Sequence, residues 1–187
     1  MNRRRDFIFL AAGPLLLLPA HAQPAAEAMA DRLRAGRCAL MWRHGQTTPG
    51  VGDPPGFELS QCGTQRNLSD AGRAQSRAAG DWFRSRKLAP RAVRSSAWCR
   101  CRDTADLAFG AHEAWAPLNS SFGQAPVAPE VRAQLLAGLA RIPAGAFEVW
   151  VTHQVNITAF TGESVSMGEA VVVDRDGRVL ARGGFGA

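Results

Sequence analysis

Short apolar segments alternate with amphipathic ones along most of this chain, and that alternation limits the possible folds more than any other feature. Two segments, Cys38–Arg43 and Phe147–Thr152, are short and rich in the apolar and β-branched residues of buried strands. Between them, Ser69 is a favoured helix N-cap, and residues 71–83 place apolar side chains at helical spacing. Strands that alternate with helices predict a three-layer α/β/α sandwich with a mostly parallel central sheet.

The other elements follow from similar patterns and from glycine stops. A hairpin is predicted around Asp176-Gly177, a dipeptide that favours a tight β-turn. We predict helices over residues 23–36, 100–109, 129–139 and 153–160, and strands over residues 91–95, 114–118, 169–174 and 178–182.

A long segment, Gln46–Asn67, interrupts the pattern. It contains Pro49, Pro54, Pro55 and four glycines, so it is predicted to be irregular. A loop of this length within a compact domain is usually functional or disordered.

The first 22 residues are predicted to be a cleaved secretory signal peptide. A basic start, Met1–Arg5, precedes an apolar run that is too short to span a bilayer, and Ala20-His21-Ala22 fits a cleavage site. Arg4-Arg5-Asp6-Phe7-Ile8 also resembles the twin-arginine export pattern, and the choice between the two export routes stays open. We therefore expect a periplasmic or secreted domain over residues 23–187.

The composition of that domain excludes some partners. The leader contributes +2 of the formal charge of +6, so the domain carries +4, nearly all of it as arginine. The domain has neither a basic run nor basic residues interleaved with aromatic ones, which argues against nucleic acid. A second apolar span is missing as well, so we expect no stable membrane insertion after cleavage.

The domain contains four cysteines, Cys38, Cys62, Cys99 and Cys101. In an exported protein an even number suggests disulfides, and four cysteines allow three connectivities. Their spacing, and that of the histidines, does not match a metal site.

Polar side chains with matching chemistry follow three predicted strands. Arg43-His44-Gly45 follows the first strand, Ser95-Ser96 leads to Arg100 after the second, and Thr152-His153 follows another. Because parallel strands bring their carboxyl ends to one edge of a sheet, we expect two arginines and two histidines in one pocket. Arginine suits a phosphate group there, since its planar fork donates two parallel hydrogen bonds.

On these motifs the chain resembles the histidine phosphatase superfamily, which has the phosphoglycerate-mutase-like fold. The matching features lie in family order between Leu40 and about Gly162. They are Arg43-His44-Gly45, Asn67-Leu-Ser-Asp-Ala-Gly-Arg73, Ser95-Ser96 followed by Arg100 and Thr104-Ala105, and Thr152-His153.

The resemblance implies a role for each matching residue. His44 would be the nucleophile that becomes transiently phosphorylated, Arg43 and Arg100 would hold the phosphoryl oxygens, and His153 would bind phosphate and stabilise the transition state. Arg66 and Gln65 lie on the long loop, and we place them near the pocket as further substrate-binding candidates. A small phosphorylated substrate is implied, with no metal or other cofactor.

One part of the family pattern is missing. Family phosphatases usually carry a carboxylic acid that protonates the leaving oxygen, but Gln154 follows the second histidine, and Leu118–Phe122 contains no acid. Asp53, Glu58 and Glu113 could reach the pocket from loops, and the sequence does not choose among them. Without an acid, poor leaving groups should react slowly, because general acid catalysis contributes roughly 10²–10⁴-fold.

Two functions from different classes therefore remain. The first is an exported phosphatase that acts on phosphomonoesters or on more labile phosphoryl groups. The second is a phosphate-binding module that kept the pocket and lost turnover, and a mutase is a weaker third reading. In either case we expect Cys62 to pair with Cys99 or Cys101, which would tie the long loop to the Arg100 segment.

Overall fold

The computed structural model describes residues 22–122 and 128–185. The predicted signal peptide, residues 1–22, lies outside them except for Ala22, so the prediction is not tested. The helices are α1 (Ala22–Ala35), α2 (Asp70–Ser85), α3 (Cys99–Phe109), α4 (Pro129–Ala140) and α5 (Gln154–Thr161). The strands are β1 (Cys38–Arg43), β2 (Ala92–Ser95), β3 (Glu113–Ala114), β4 (Phe147–Thr152), β5 (Ala170–Asp174) and β6 (Val179–Gly183).

The strands form one six-stranded sheet in the order β3-β2-β4-β1-β5-β6. β4 lies at its centre and pairs in parallel with β1 on one side and with β2 on the other. β5 runs antiparallel to both of its neighbours, β1 and β6. The predicted mostly parallel sheet is therefore confirmed.

Helices cover both faces of the sheet, as the predicted three-layer sandwich requires. Alternate residues of β1 point to opposite faces, so Leu40 and Trp42 pack with α1, α2 and α3, whereas Met41 packs with α4 and α5. All six residues of β4 are buried, which explains its continuous apolar character in the sequence.

One predicted strand is shorter than expected. The sequence predicted a strand over residues 114–118, but β3 contains only Glu113 and Ala114, and a 3₁₀ turn follows at Ala116–Leu118. The N–H of Trp115 still donates to the carbonyl of Ser95, at 2.9 Å. Pro117 has no N–H to donate, so the ladder cannot continue through it.

The end of β1 and the first turn of α2 are in direct backbone contact. A Cβ atom on Gly45 would lie 2.8 Å from the carbonyl oxygen of Gly72, and one on Gly72 would overlap the backbone of Gln46. Ser69 strengthens the same contact, because its N–H donates to the Gln46 carbonyl at 3.0 Å and its hydroxyl caps α2 by accepting from the Gly72 N–H. Two of the segments that match the family motifs, Arg43-His44-Gly45 and Asn67–Arg73, therefore meet at a contact that has no room for a side chain.

The long loop, Gln46–Asn67, is covalently linked to α3. A disulfide joins Cys62 to Cys99, the first residue of α3. This is one of the two pairings expected from the sequence, and Cys38 and Cys101 are free thiols in the core. The loop is therefore fastened to the helix that carries Arg100.

Substitution of Gly72 by alanine should destabilise the protein by about 2 kcal/mol or more, because the added methyl group would force the Gln46 backbone away from α2. Urea unfolding would measure the loss. Gly63→Ala is the matched control, since a Cβ there meets nothing within 4 Å, and its effect should stay within about 0.5 kcal/mol. Equal effects of the two substitutions would contradict the close-approach explanation.

Candidate functional site

Three strand ends meet at one edge of the sheet, as the motif spacing predicted. In the register of the sheet, Arg43 lies beside Thr152, and Ser95 lies beside Val151. The residues that follow, His44, Ser96 and His153, therefore lie side by side. The two histidines border a cavity of about 360 Å³, whose lining also includes Arg43, Asp53, Arg66, Arg100 and Gln154.

His44 is held as a neutral imidazole of one tautomer. Its Nδ1 lies 2.8 Å from the carbonyl oxygen of Gly45. Because a carbonyl can only accept, Nδ1 carries the proton, which leaves the Nε2 lone pair free. Burial, together with the charges of Arg100, Arg43 and Arg66, lowers the pKa of His44 to about 3, although the hydrogen bond to Gly45 acts in the opposite direction. At neutral pH the ring is an uncharged base.

His153 lies next to His44, with 5.5 Å between the ring centroids. Its Nε2 is 2.8 Å from the Ser96 hydroxyl and 3.4 Å from the Cys101 thiol, and its Nδ1 is 3.4 Å from a guanidinium nitrogen of Arg100. Since Arg100 can only donate, Nδ1 accepts and Nε2 carries the proton. Burial, then the neighbouring His44 and Arg100, lower the pKa of His153 well below its ordinary value, so this ring is also neutral.

Arg43 is oriented by the first residue of α5 and by the chain that follows this helix. Its Nη1 donates to the carbonyl of Val165 at 2.8 Å and to Oε1 of Gln154 at 3.3 Å. Gln154 occupies the position where an acid was expected, and here its carbonyl oxygen helps to position an arginine. Its amide group donates to Thr158 at 2.6 Å, so it is engaged at both ends.

Arg100 stands in the first turn of α3 and is bound by a carboxylate. Its Nη1 lies 2.7 Å from Oδ1 of Asp53, and its Nη2 lies 3.2 Å from Oδ2. Both side chains are buried, with 5% and 8% of their surface exposed. This two-pronged ion pair is the strongest charged contact in the cavity wall.

The cavity has a net positive charge. Three arginines, Arg43, Arg66 and Arg100, line it against a single carboxylate, Asp53, among the described residues. Burial and then the neighbouring arginine lower the pKa of Arg43 and of Arg66, which reflects how closely the cations are packed. Like charges held this close favour an anionic ligand between them.

Arg66 and Gln65, the two loop residues predicted near the pocket, lie in different places. Arg66 lines the cavity, and its Nη1 donates to the carbonyl of Gly50. Gln65 does not line it. Its amide nitrogen donates to the Glu58 and Leu59 carbonyls, and its amide oxygen accepts the N–H of Cys99 at 3.0 Å, so its visible role is to brace the loop against α3.

The structure separates the three loop acids that the sequence left open. Glu58 lies on the outer side of the loop and contacts Gln61, and Glu113 is exposed and pairs with Arg94. Only Asp53 reaches the cavity. Its position depends on the path of the irregular loop over the edge of the sheet. No sequence pattern around Asp53 predicts that it lines the cavity.

The described residues contain neither a metal-binding cluster nor a membrane-spanning helix. No group of three or more histidine, cysteine or acidic side chains in residues 22–122 and 128–185 is placed to hold a metal ion. In the same residues, every helix is too short or too polar to cross a membrane.

Comparison with known proteins agrees with the site geometry. The model of the histidine phosphatase superfamily (branch 1) matches residues 39–121, a range that contains Arg43, His44, Arg66 and Arg100. No curated protein matches the chain in sequence.

Several solved structures share the fold. The protein histidine phosphatase SixA, complexed with tungstate, superposes with a TM-score of 0.56 at 16% identity, over 79% of this chain and 97% of SixA. TTHB049 from Thermus thermophilus gives 0.55 at 24% identity, over 78% and 97% of the two chains. A phosphoglycerate mutase from the same organism gives 0.54 at 22% identity, again over 78% and 97%. The family model over residues 39–121 and the shared fold together confirm that the chain resembles the histidine phosphatase superfamily.

Proposed function

We propose that this protein is an exported phosphatase that hydrolyses phosphomonoesters or more labile phosphoryl groups through a phosphohistidine intermediate on His44. One observation carries the proposal above the others. The neutral His44 ring, with its Nδ1 bound to the Gly45 carbonyl, borders a cavity that three arginines make positive. A binding site for phosphate needs the arginines but has no need of a nucleophile.

In the first step, Nε2 of His44 attacks phosphorus, and the bond from phosphorus to the leaving oxygen breaks. Charge on the phosphoryl oxygens is stabilised by donors already in place, chiefly Arg43, since its Nη1 is fixed by Val165 and Gln154. The Gly45 carbonyl stabilises the positive charge that the ring acquires as the N–P bond forms.

In the second step, water attacks the phosphorus of phosphohistidine, and the N–P bond breaks to release phosphate and neutral His44. His153 adjoins the reacting groups and is held by Ser96 and Arg100. Its single N–H is engaged by Ser96, so the ring would have to give up that bond before it could donate to a phosphoryl oxygen.

Without an acid, the preferred substrates would be those with the best leaving groups. Neither position at which family phosphatases carry the acid has one here, and Gln154 is committed to Arg43. Labile phosphoryl groups such as phosphohistidine, acyl phosphates or phosphoramidate depend least on an acid. The fold shared with SixA, described as a protein histidine phosphatase, supports this class.

A phosphate-binding module is the second candidate. The pairing of Arg100 with Asp53 favours it, because an arginine that already holds a carboxylate is less available to stabilise a transition state. A mutase fits less well, since it requires a primed phospho-enzyme and one specific metabolite.

The export part of the proposal rests on residues 1–22. Expression with the native leader should yield a periplasmic protein whose N-terminus is Gln23, because Ala20-His21-Ala22 fits a signal cleavage site. Mass spectrometry of the intact periplasmic protein would identify the N-terminus. Full-length protein retained in the cytoplasm would contradict export, and blockage by Arg4→Lys/Arg5→Lys would assign the twin-arginine route.

The phosphatase itself is tested with p-nitrophenyl phosphate and phosphoramidate. His44→Ala should lower kcat/KM by about 10³-fold or more on both, because the covalent route is lost. Phosphate release measures the turnover, and acid quenching should trap labelled phosphohistidine in the native protein only. His112→Ala is the control, since His112 pairs with Asp106 away from the cavity, and it should retain full activity.

Each other outcome has a defined meaning. Phosphate binding without turnover on either substrate would replace the phosphatase by the binding module. Turnover that survives in His44→Ala would overturn the assigned nucleophile.

The disulfide should affect the site, because it fastens the loop that carries Asp53 and Arg66 to the helix that carries Arg100. We expect dithiothreitol to weaken the binding of inorganic phosphate several-fold, as measured by calorimetry. Cys62→Ala/Cys99→Ala should bind as weakly without reductant and should not respond to it. Unchanged affinity after confirmed reduction would remove the disulfide from the account of the site.

A further inference from the structure

Asp53 is the one carboxylate among the described residues that line the cavity. The long loop brings Asp53 to the cavity wall, where its two oxygens accept four hydrogen bonds. Oδ1 accepts from Arg100 at 2.7 Å and from the N–H of Arg66 at 3.0 Å. Oδ2 accepts from Arg100 at 3.2 Å and from the Trp98 indole at 2.9 Å.

In this arrangement both terminal nitrogens of Arg100 are already hydrogen-bonded, so they are not free to bind a substrate. Besides its bonds to Asp53, Nη1 is 3.4 Å from the carbonyl of Arg66, and Nη2 is 3.4 Å from Nδ1 of His153. The Nε atom is buried and has no partner among residues 22–122 and 128–185. A phosphoryl group can therefore take the terminal nitrogens of Arg100 in a two-pronged contact only if the carboxylate of Asp53 gives them up.

Asp53 thus occupies Arg100 much as a phosphate would, with two oxygens on a planar fork. The two anions compete for one cation. A doubly charged phosphoryl group that also contacts Arg43 and Arg66 can displace the carboxylate from Arg100, because it interacts with three cations at once. The carboxylate is then displaced but remains beside the reacting group, because its loop is held by the Cys62–Cys99 disulfide.

We propose that Asp53 is the general acid of this site, and that the substrate's phosphoryl group prepares it by displacing it from Arg100. The proposal rests on the proposed function and supplies the acid that Gln154 cannot provide.

The proton is accounted for at each step. On displacement, the Asp53 carboxylate takes a proton from solvent. As Nε2 of His44 bonds to phosphorus, the bond between phosphorus and the leaving oxygen breaks, its electron pair stays on that oxygen, and Asp53 gives the oxygen its proton. In the second step the Asp53 carboxylate removes a proton from the attacking water, the N–P bond breaks, and the acid form is restored.

The charges around Asp53 favour its protonation once a phosphoryl group has displaced it from Arg100. Burial by itself raises the pKa of Asp53, but the hydrogen bonds from Arg100, the Arg66 N–H and Trp98, with the charge of Arg100, outweigh it and hold the pKa below the ordinary value. When a phosphoryl dianion takes Arg100, the largest opposing influence is lost and a second negative charge arrives. Both changes raise the pKa of Asp53 and favour its protonated form.

The test is a series of aryl phosphates whose leaving phenols become progressively less acidic: 2,4-dinitrophenyl, p-nitrophenyl and phenyl phosphate. Asp53→Asn keeps the size of the side chain and one acceptor oxygen, for either the Arg66 N–H or the Trp98 indole, but it cannot give up a proton. Because kcat/KM reports the steps up to transfer of the phosphoryl group to His44, we expect the substitution to lower kcat/KM on phenyl phosphate by about 10²-fold or more and to change kcat/KM on the dinitrophenyl ester little. Glu58→Gln, the same change on the same loop outside the cavity, should leave all three rates unchanged.

The outcomes separate the acid from a residue that only positions Arg100. An equal loss on all three esters would show positioning alone, and no loss on any would show that Asp53 takes no part; either result overturns the proposal. The dinitrophenyl ester separates this proposal from the phosphatase itself, because it needs no acid. If the native protein fails to turn it over, both fall, whereas turnover with a flat Asp53→Asn profile removes only the acid.

The displacement of Asp53 from Arg100 by phosphate can be measured separately. Because Asp53→Asn removes the competing anion, it should bind inorganic phosphate about tenfold more tightly at neutral pH by calorimetry, and Asp53→Ser should do the same if the first variant does not fold. Unchanged or weaker binding would contradict the displacement of Asp53 by phosphate.

Discussion

The parallel pairing of β4 with both β1 and β2 is the arrangement on which the site depends. It places the ends of three strands at one edge of the sheet, so that His44, Ser96 and His153 emerge side by side. Helix α3 then presents Arg100 from its first turn to the same edge. A register shift of one residue in any of these strands would turn these side chains to the opposite face.

Burial makes that edge chemically useful. His44 and His153 stay neutral because charging either one would bury a cation among three arginines. The same concentration of positive charge favours an anionic ligand, and Asp53 offsets part of it. A buried guanidinium without a partner is costly, so Asp53 stabilises the buried side chain of Arg100.

Backbone contact and covalent linkage support the two sides of the cavity. On one side, Gly45 and Gly72 let the end of β1 approach α2 so closely that neither position has room for a Cβ. On the other side, the Cys62–Cys99 disulfide and Gln65 fasten the long loop to the start of α3. The loop can therefore carry cavity residues such as Asp53 and Arg66 although it contains no extended regular structure.

The amino-acid sequence alone was sufficient for the α/β layers, for β1 and β4 at their observed boundaries, and for the meeting of His44, Arg43, Arg100 and His153. These features follow from local periodicity and from the rule that parallel strands share a carboxyl edge. Only the tertiary structure shows that Asp53 pairs with Arg100 and that Gln65 does not line the cavity. It also shows that Cys62 pairs with Cys99 rather than Cys101. Each of these depends on the path of an irregular loop, which is set by contacts between residues distant in sequence and leaves no periodic pattern to read.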